Sequence, residues 1–214
     1  MFKFHAIPAI AAAVLLIAPL LASDAHATTI TGTLAVDDLF TLYLSTSDSQ
    51  LGTQLLSGNG WNLPFTLNPV QLSSGDTYFL HVIGRNTGGD QGFIGSFTVS
   101  DTDFEFANGT QSLNTNADDW KASVSDQFGT LPPTDTPLVE AFYGSVPWGF
   151  VSGIDPSASW IWSNPIDAGY VTFSTQISYV GPPVNPPAAT PEPATFAMMG
   201  GVLMALPWLI RRKK

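Results

Sequence analysis

Cysteine is absent from the 214 residues, which excludes disulfide scaffolds, thiol catalysis, cysteine zinc sites and iron–sulfur clusters. Histidine is almost as scarce. His5 and His26 lie in the N-terminal segment, so His81 stands alone in the rest of the chain. One imidazole cannot build a multi-histidine metal site, and any Ser-His-Asp triad would have to use it. The G-x-S-x-G elbow, the phosphate-binding G-x-x-x-x-G-K-[ST] loop and the dinucleotide fingerprint G-x-G-x-x-G are all missing. Charged residues make up 11% of the chain, against about 25% in ordinary soluble domains. Positive charge is scarcest. Between residues 28 and 180 only Arg85 and Lys121 stand against 15 acids, a net charge of −13. Such a surface repels phosphate and attracts cations, so nucleic acid is not an expected partner. Glycine (19) and proline (17) make the chain turn-rich, yet short of the roughly 25–30% that marks low complexity.

What is present is clearest at the two ends. Met1–His5, with Lys3, is followed by an apolar run from Ala6 to Leu21 and then by Ala25-His26-Ala27. A basic start, a short apolar stretch and small residues at the last and third-last positions are the marks of a secretory signal peptide. Cleavage by signal peptidase is expected between Ala27 and Thr28. The alternative, a retained anchor, is disfavoured by the shortness of the run and by Pro8 and Pro19.

At the other end, residues 181–190 form a Pro-rich linker expected to be extended. Pro191-Glu192-Pro193 follows, then an uncharged apolar run over 194–210, then Arg211, Arg212, Lys213 and Lys214. As a helix that run would rise roughly 25 Å, at the lower limit for spanning a bilayer. The basic cluster would hold its end in the cytoplasm. Residues 191–214 resemble the PEP-CTERM sorting domain of Gram-negative bacteria, with tripeptide, apolar span and basic end in order. Thr190 stands where members commonly carry Val. The resemblance implies an inner-membrane intermediate, processing by an exosortase near Pro191–Pro193, and a final place at the cell surface or in an exopolysaccharide-rich biofilm matrix.

Residues 28–180 read as one all-β domain. Phe40, Leu42 and Leu44 share one face of a strand, while Thr77–Arg85 is apolar on both faces, as a central strand would be. Phe93, Phe97 and Val99 alternate with Ile94, Ser96 and Thr98. Asp101–Phe106 sets Phe104 and Phe106 against Asp101, Asp103 and Glu105, and Val171, Phe173, Ile177 and Tyr179 mark a last strand. Turn clusters at 57–60, 73–76 and 86–90 separate these runs, and Leu131–Pro137 reads as a loop. Many short strands at this spacing predict a sandwich or barrel.

Three stretches, Ala35-Val36-Asp37-Asp38-Leu39-Phe40-Thr41-Leu42-Tyr43, Leu72–Leu80 and Asn86-Thr87-Gly88-Gly89-Asp90-Gln91-Gly92-Phe93-Ile94, resemble segments of galactose-binding-like jelly rolls in the same order. Asp119-Trp120-Lys121, Pro147-Trp148-Gly149 and Trp160-Ile161-Trp162 resemble later elements of that family. Leu44-Ser45-Thr46 departs from its usual turn. The resemblance implies a jelly-roll-like β-sandwich.

No cofactor is required by these residues, but Asp37 and Asp38 are candidate ligands for a structural Ca²⁺, which takes oxygen donors from loops. The alternative is that they simply start a turn. Asp118-Asp119 and the Asp101/Asp103/Glu105 face are weighed in the same way, the latter as the wet face of a strand. Among the tryptophans, Trp148, Trp160 and Trp162 are candidates for stacking on a sugar ring, the alternative being core. Trp160 and Trp162 lie two apart and are expected on one side of a strand. Trp148, between Pro147 and Gly149, is the indole expected in an exposed loop. His81 is expected as a strand residue with its hydrogen bonds satisfied. Glu105 and Glu140 are the domain's only glutamates, and nothing around them marks an acid–base pair. Asn108-Gly109-Thr110 matches a glycosylation triplet, read as chance. The expected function is an exported, non-catalytic surface or biofilm-matrix protein, with a carbohydrate-binding module for exopolysaccharide as the alternative and a two-carboxylate glycosidase as the third reading.

Overall fold

The computed structural model describes residues 27–163 and 169–184. The signal segment before Ala27, the rest of the linker and the sorting segment 191–214 lie outside the described residues. Twelve strands follow one another: β1 Thr28–Asp37, β2 Leu39–Ser45, β3 Thr53–Asn59, β4 Phe65–Leu72, β5 Tyr78–Arg85, β6 Gly92–Val99, β7 Phe104–Phe106, β8 Ser112–Asn114, β9 Lys121–Val124, β10 Leu138–Phe142, β11 Ser159–Trp162 and β12 Tyr170–Tyr179. Among the described residues no helix is long and apolar enough to cross a membrane.

The strands form two six-stranded antiparallel sheets. Sheet A has the order β10-β11-β6-β1-β4, with β8 also on β6. Sheet B has the order β3-β2-β5-β12-β7, with β9 also on β12. The chain first crosses between the sheets at Asp37–Asp38, whose peptide is cis. The alternation in the sequence sets the inner faces. Leu34 and Val36 of β1 and Phe93, Phe97 and Val99 of β6 meet Phe40 and Leu42 of β2, Leu80 and Val82 of β5, and Val171, Phe173 and Ile177 of β12. This all-β two-sheet sandwich is the class the strand periodicity predicts.

Aromatic rings occupy the centre. Phe93 lies 5.1 Å from both Trp120 and Phe173, and Trp162 lies 5.6 Å from Phe173. Trp162 comes down on Gly84, where a Cβ would meet its ring at 2.9 Å. Only glycine in β5 leaves room for that indole.

A second buried cluster covers the other face of sheet A. Ala35 of β1, Ile94 of β6 and Trp160 of β11 pack against Trp148, Val151, Ile154 and Ala158 from the long β10–β11 connection. An apolar outer face exposed to water would cost about 25 cal/mol per Å², and this connection covers it. Two polar ties fix the cover: Asp155 N donates to Ser96 Oγ at 2.9 Å, and Tyr143 Oη donates to the Val151 carbonyl at 3.1 Å.

Two expectations change here. Trp160 and Trp162 do not share a surface: Trp162 enters the core between the sheets and Trp160 the cluster outside sheet A. Between their pairings the partner strand β10 carries an extra residue, Glu140, so the register shifts. Asp101–Asp103 is a turn rather than the start of a strand, since β7 begins at Phe104. Asp101 Oδ1 accepts the Asp103 amide at 2.9 Å, and its Oδ2 accepts the Thr28 hydroxyl.

Candidate functional site

The three tryptophans singled out in the sequence are interior. Trp148 is 5% exposed, and Trp160 and Trp162 are fully buried. Trp148 is therefore not the exposed loop indole that its Pro-Trp-Gly setting predicts. It stacks on Trp160 with ring centroids 4.4 Å apart and planes 21° apart, and its Nε1 donates to Asp37 Oδ2 at 2.8 Å. Trp160 in turn lies on Gly92, where a Cβ would meet its ring at 2.7 Å.

Asp37 and Asp38 thus sit where the sealed face of sheet A meets the crossover to sheet B. Asp38 Oδ2 accepts the Thr87 amide at 2.8 Å and the Thr87 hydroxyl as well. Asn86 Nδ2 donates to Gln91 Oε1 at 3.2 Å, and Gly88 N to Asn86 Oδ1 at 2.9 Å. Two stretches that carry the jelly-roll resemblance, at 37–38 and 86–91, are therefore in direct contact. Their environments push the two carboxyls apart. Burial raises Asp37 to about 6 against the Trp148 donor, helped by a shared hydrogen bond with Asp38 and by the charges of Asp38 and Asp90. At Asp38 partial burial is outweighed by the Thr87 hydroxyl and amide and by Asp37, and its pKa falls. One oxygen of each carboxylate is thus committed to a donor. Among the described residues no three His, Cys, Asp or Glu side chains gather as metal ligands.

Asp118 and Asp119 fall in a side-chain turn, their amides both donating to Asn116 Oδ1 at 2.8 Å. Glu105 lies on β7 in sheet B and Glu140 on edge strand β10 in sheet A, so the two glutamates belong to different layers. Burial raises the pKa of Glu140.

His81 is fully buried on the outer face of sheet B, beneath the β2–β3 loop. It is a strand residue as expected, but neither ring nitrogen makes a hydrogen bond of good geometry among the described residues. Burial holds its pKa below the ordinary 6.5, against the Asp48 carboxylate and the main chain at Ser47 and Gln50. Asp48 Oδ1 stands 3.8 Å from His81 Nδ1, and Ser174 Oγ donates to that same oxygen at 2.6 Å. A serine, a histidine and an aspartate do meet here. The serine hydroxyl serves the carboxylate, though, and the imidazole is sealed from solvent, so no base is placed to activate a nucleophile.

An open groove of about 450 Å³ lies on the outer face of sheet B, and the sequence alone does not single it out. Arg85, exposed, stands over the Tyr170 ring at 5.3 Å from its centroid, and Tyr43, Asn59 and Gln127 also line the groove. The signal for it lay in the outward positions of β2, β5 and β12, but pairing of those strands is needed to bring them together.

The chain matches the PEP-CTERM protein-sorting motif over residues 189–213, in agreement with the sorting segment expected at 191–214. The motif supports export and surface localisation by way of an inner-membrane intermediate, and it implies an exosortase as processing partner. No curated protein and no solved structure matches the chain significantly.

Proposed function

We propose that this is an exported β-sandwich protein of the cell surface or biofilm matrix, sorted by an exosortase and without catalytic activity, whose one binding activity is weak adhesion to exopolysaccharide. The observation that carries the reading is the sorting motif at 189–213. The sealing of His81 from solvent and the separation of Glu105 from Glu140 support the non-catalytic part. In this reading the sandwich is a galactose-binding-like jelly roll. Pro191, Glu192 and Pro193 are what the exosortase reads, the apolar run at 194–210 is a membrane span, and Arg211, Arg212, Lys213 and Lys214 stop transfer. Signal peptidase acts between Ala27 and Thr28, the residue at which β1 begins.

Glu192→Ala tests the sorting step. Fractionation should find full-length protein held in the inner membrane, and unchanged release would reduce the tail to a plain anchor. Turnover of a glycoside substrate by the purified protein would overturn the non-catalytic part. Trp148, Trp160 and Trp162 support packing, so adhesion has to use other side chains. The role needs no cofactor. A structural Ca²⁺ at Asp37 and Asp38 would have to compete with the Trp148 and Thr87 donors. Thermal melting with calcium and with chelator tests it, an unchanged midpoint ruling the ion out.

A further inference from the structure

The outer face of sheet B is only half covered. Ile83 is 5% exposed there because Leu51 and Gly129 close over it from two loops. Beyond Ile83 the cover stops, and the groove of about 450 Å³ opens, within the roughly 300–1,000 Å³ usual for small-molecule sites. Its floor is a row across three strands, Leu39 of β2, Arg85 of β5 and Tyr170 of β12, which are register partners. Ser57 and Asn59 come from β3, and Gln127 from the loop after β9.

The charge pattern is the informative part. Residues 28–180 carry 15 acids and two bases, yet none of the residues lining this groove is an acid and one of the two bases is there. Among the described residues Arg85 makes no ion pair. A guanidinium held over a tyrosine ring at 5.3 Å, without an ion pair among the described residues, presents its donors to a planar anion such as a carboxylate. Beside hydroxyls, carboxamides and two half-buried tyrosine rings, the lining is apolar at Leu39, Phe40 and Ile83, suited to a ligand with hydroxyls and a less polar ring face.

We propose that this groove binds a carboxylate-bearing saccharide unit, with Arg85 pairing the sugar carboxylate, Tyr43 contacting the ring, and Asn59 and Gln127 hydrogen-bonding its hydroxyls. The proposal rests on the reading of the protein as an adhesin for polysaccharide and names the class of sugar and the place. At physiological salt the repulsion from the rest of the domain is screened within about 8 Å, so the nearby guanidinium decides whether a short acidic sugar binds.

The test is calorimetric titration of the full chain, solubilised in detergent, with a hexuronate oligosaccharide and with an uncharged oligosaccharide of equal length. Chelator is present throughout, so that divalent cations do not bridge acid to acid. The uronate should bind and the uncharged sugar bind more weakly. Arg85→Gln should weaken uronate binding by about tenfold or more, the scale of a lost charge-assisted contact, and Tyr43→Ala should weaken it too. Near-ultraviolet circular dichroism of the buried tryptophans checks that each variant is folded. Uronate binding unchanged in Arg85→Gln overturns the proposal. Equal binding of both sugars, unaffected by Arg85→Gln, overturns it while leaving polysaccharide adhesion standing. Failure of both sugars to bind the folded chain removes adhesion as well.

Discussion

The two outer faces of the sandwich have opposite fates. On sheet A the outward residues Ala35, Ile94 and Trp160 are apolar, and the β10–β11 connection folds back to bury them with Trp148, Val151 and Ile154. On sheet B the outward row of Leu39, Thr41, Tyr43 and Arg85 is mixed, and part of it stays open as a groove. The comparison shows how the alternate residues of a strand, idle in the main core, decide what happens outside it. An apolar outer face recruits a cover, and a polar one is left for solvent or a ligand. Loop composition alone misleads here, because Pro147-Trp148-Gly149 looks like an exposed turn yet supplies the cover's central side chain.

The largest test of that contrast is Trp160→Ala. It removes a fully buried indole stacked on Trp148, and denaturant unfolding should show a loss of about 3–5 kcal/mol. A loss near that of a surface substitution would mean that the layer outside sheet A is not part of the cooperative fold.

Asp37→Asn probes the seam between the sealed face and the crossover. Folded Asp37 keeps its proton up to about 6, above its ordinary 3.8, so the folded state binds more protons in that window. Stability therefore falls as pH rises from about 4 to about 6 and stays lowered above it. The asparagine keeps an oxygen acceptor for Trp148 Nε1 without the charge. Melts across pH should show it more stable than the parent at pH 7–8, by on the order of 1–2 kcal/mol, the gain vanishing below about pH 4. A pH-independent difference would remove the protonation argument.

Thr87→Ala is smaller. It takes one of two Thr87 donors from Asp38, costing about 1 kcal/mol at neutral pH. Asp38's contribution has the opposite sign to Asp37's: it is present above the ordinary value of 3.8 and lost as pH falls through the lowered folded one. The cost should fade in acid, and carboxyl NMR titration should find Asp38 moved upward. The smallest effect is expected from Val146→Ser, in the same connection as Trp148 but 88% exposed. Its unfolding free energy should stay within about 0.5 kcal/mol of the parent. Together with Trp160→Ala, this separates the inner side of the cover from its outer side.

Much of the core was legible in alternation. Phe40, Leu42 and Leu44, then Phe93, Phe97 and Val99, then Val171, Phe173 and Ile177 face inward as their spacing predicts, because the period of two is a property of the strand itself. The sorting segment was legible as well, being a linear signal read along the chain. β1 and the edge strands were harder. Thr28–Val36 mixes Thr and Gly with its apolar residues, and its strand character comes from pairing with β4 and β6 on both sides.

By itself, then, the sequence determined the all-β class, the inward faces of the central strands and the signal at residues 189–213, each a matter of local spacing or linear order. Tertiary structure decided the rest. It buried Trp148 against Trp160, placed Trp160 and Trp162 in different clusters on the two sides of sheet A, and sealed His81 beneath a loop. It also gathered Arg85, Tyr170 and Tyr43 into one groove from three strands distant in the chain. The physical reason is common to all four: which side of a sheet is covered, and by what, depends on contacts between segments far apart in sequence, and no local periodicity encodes them.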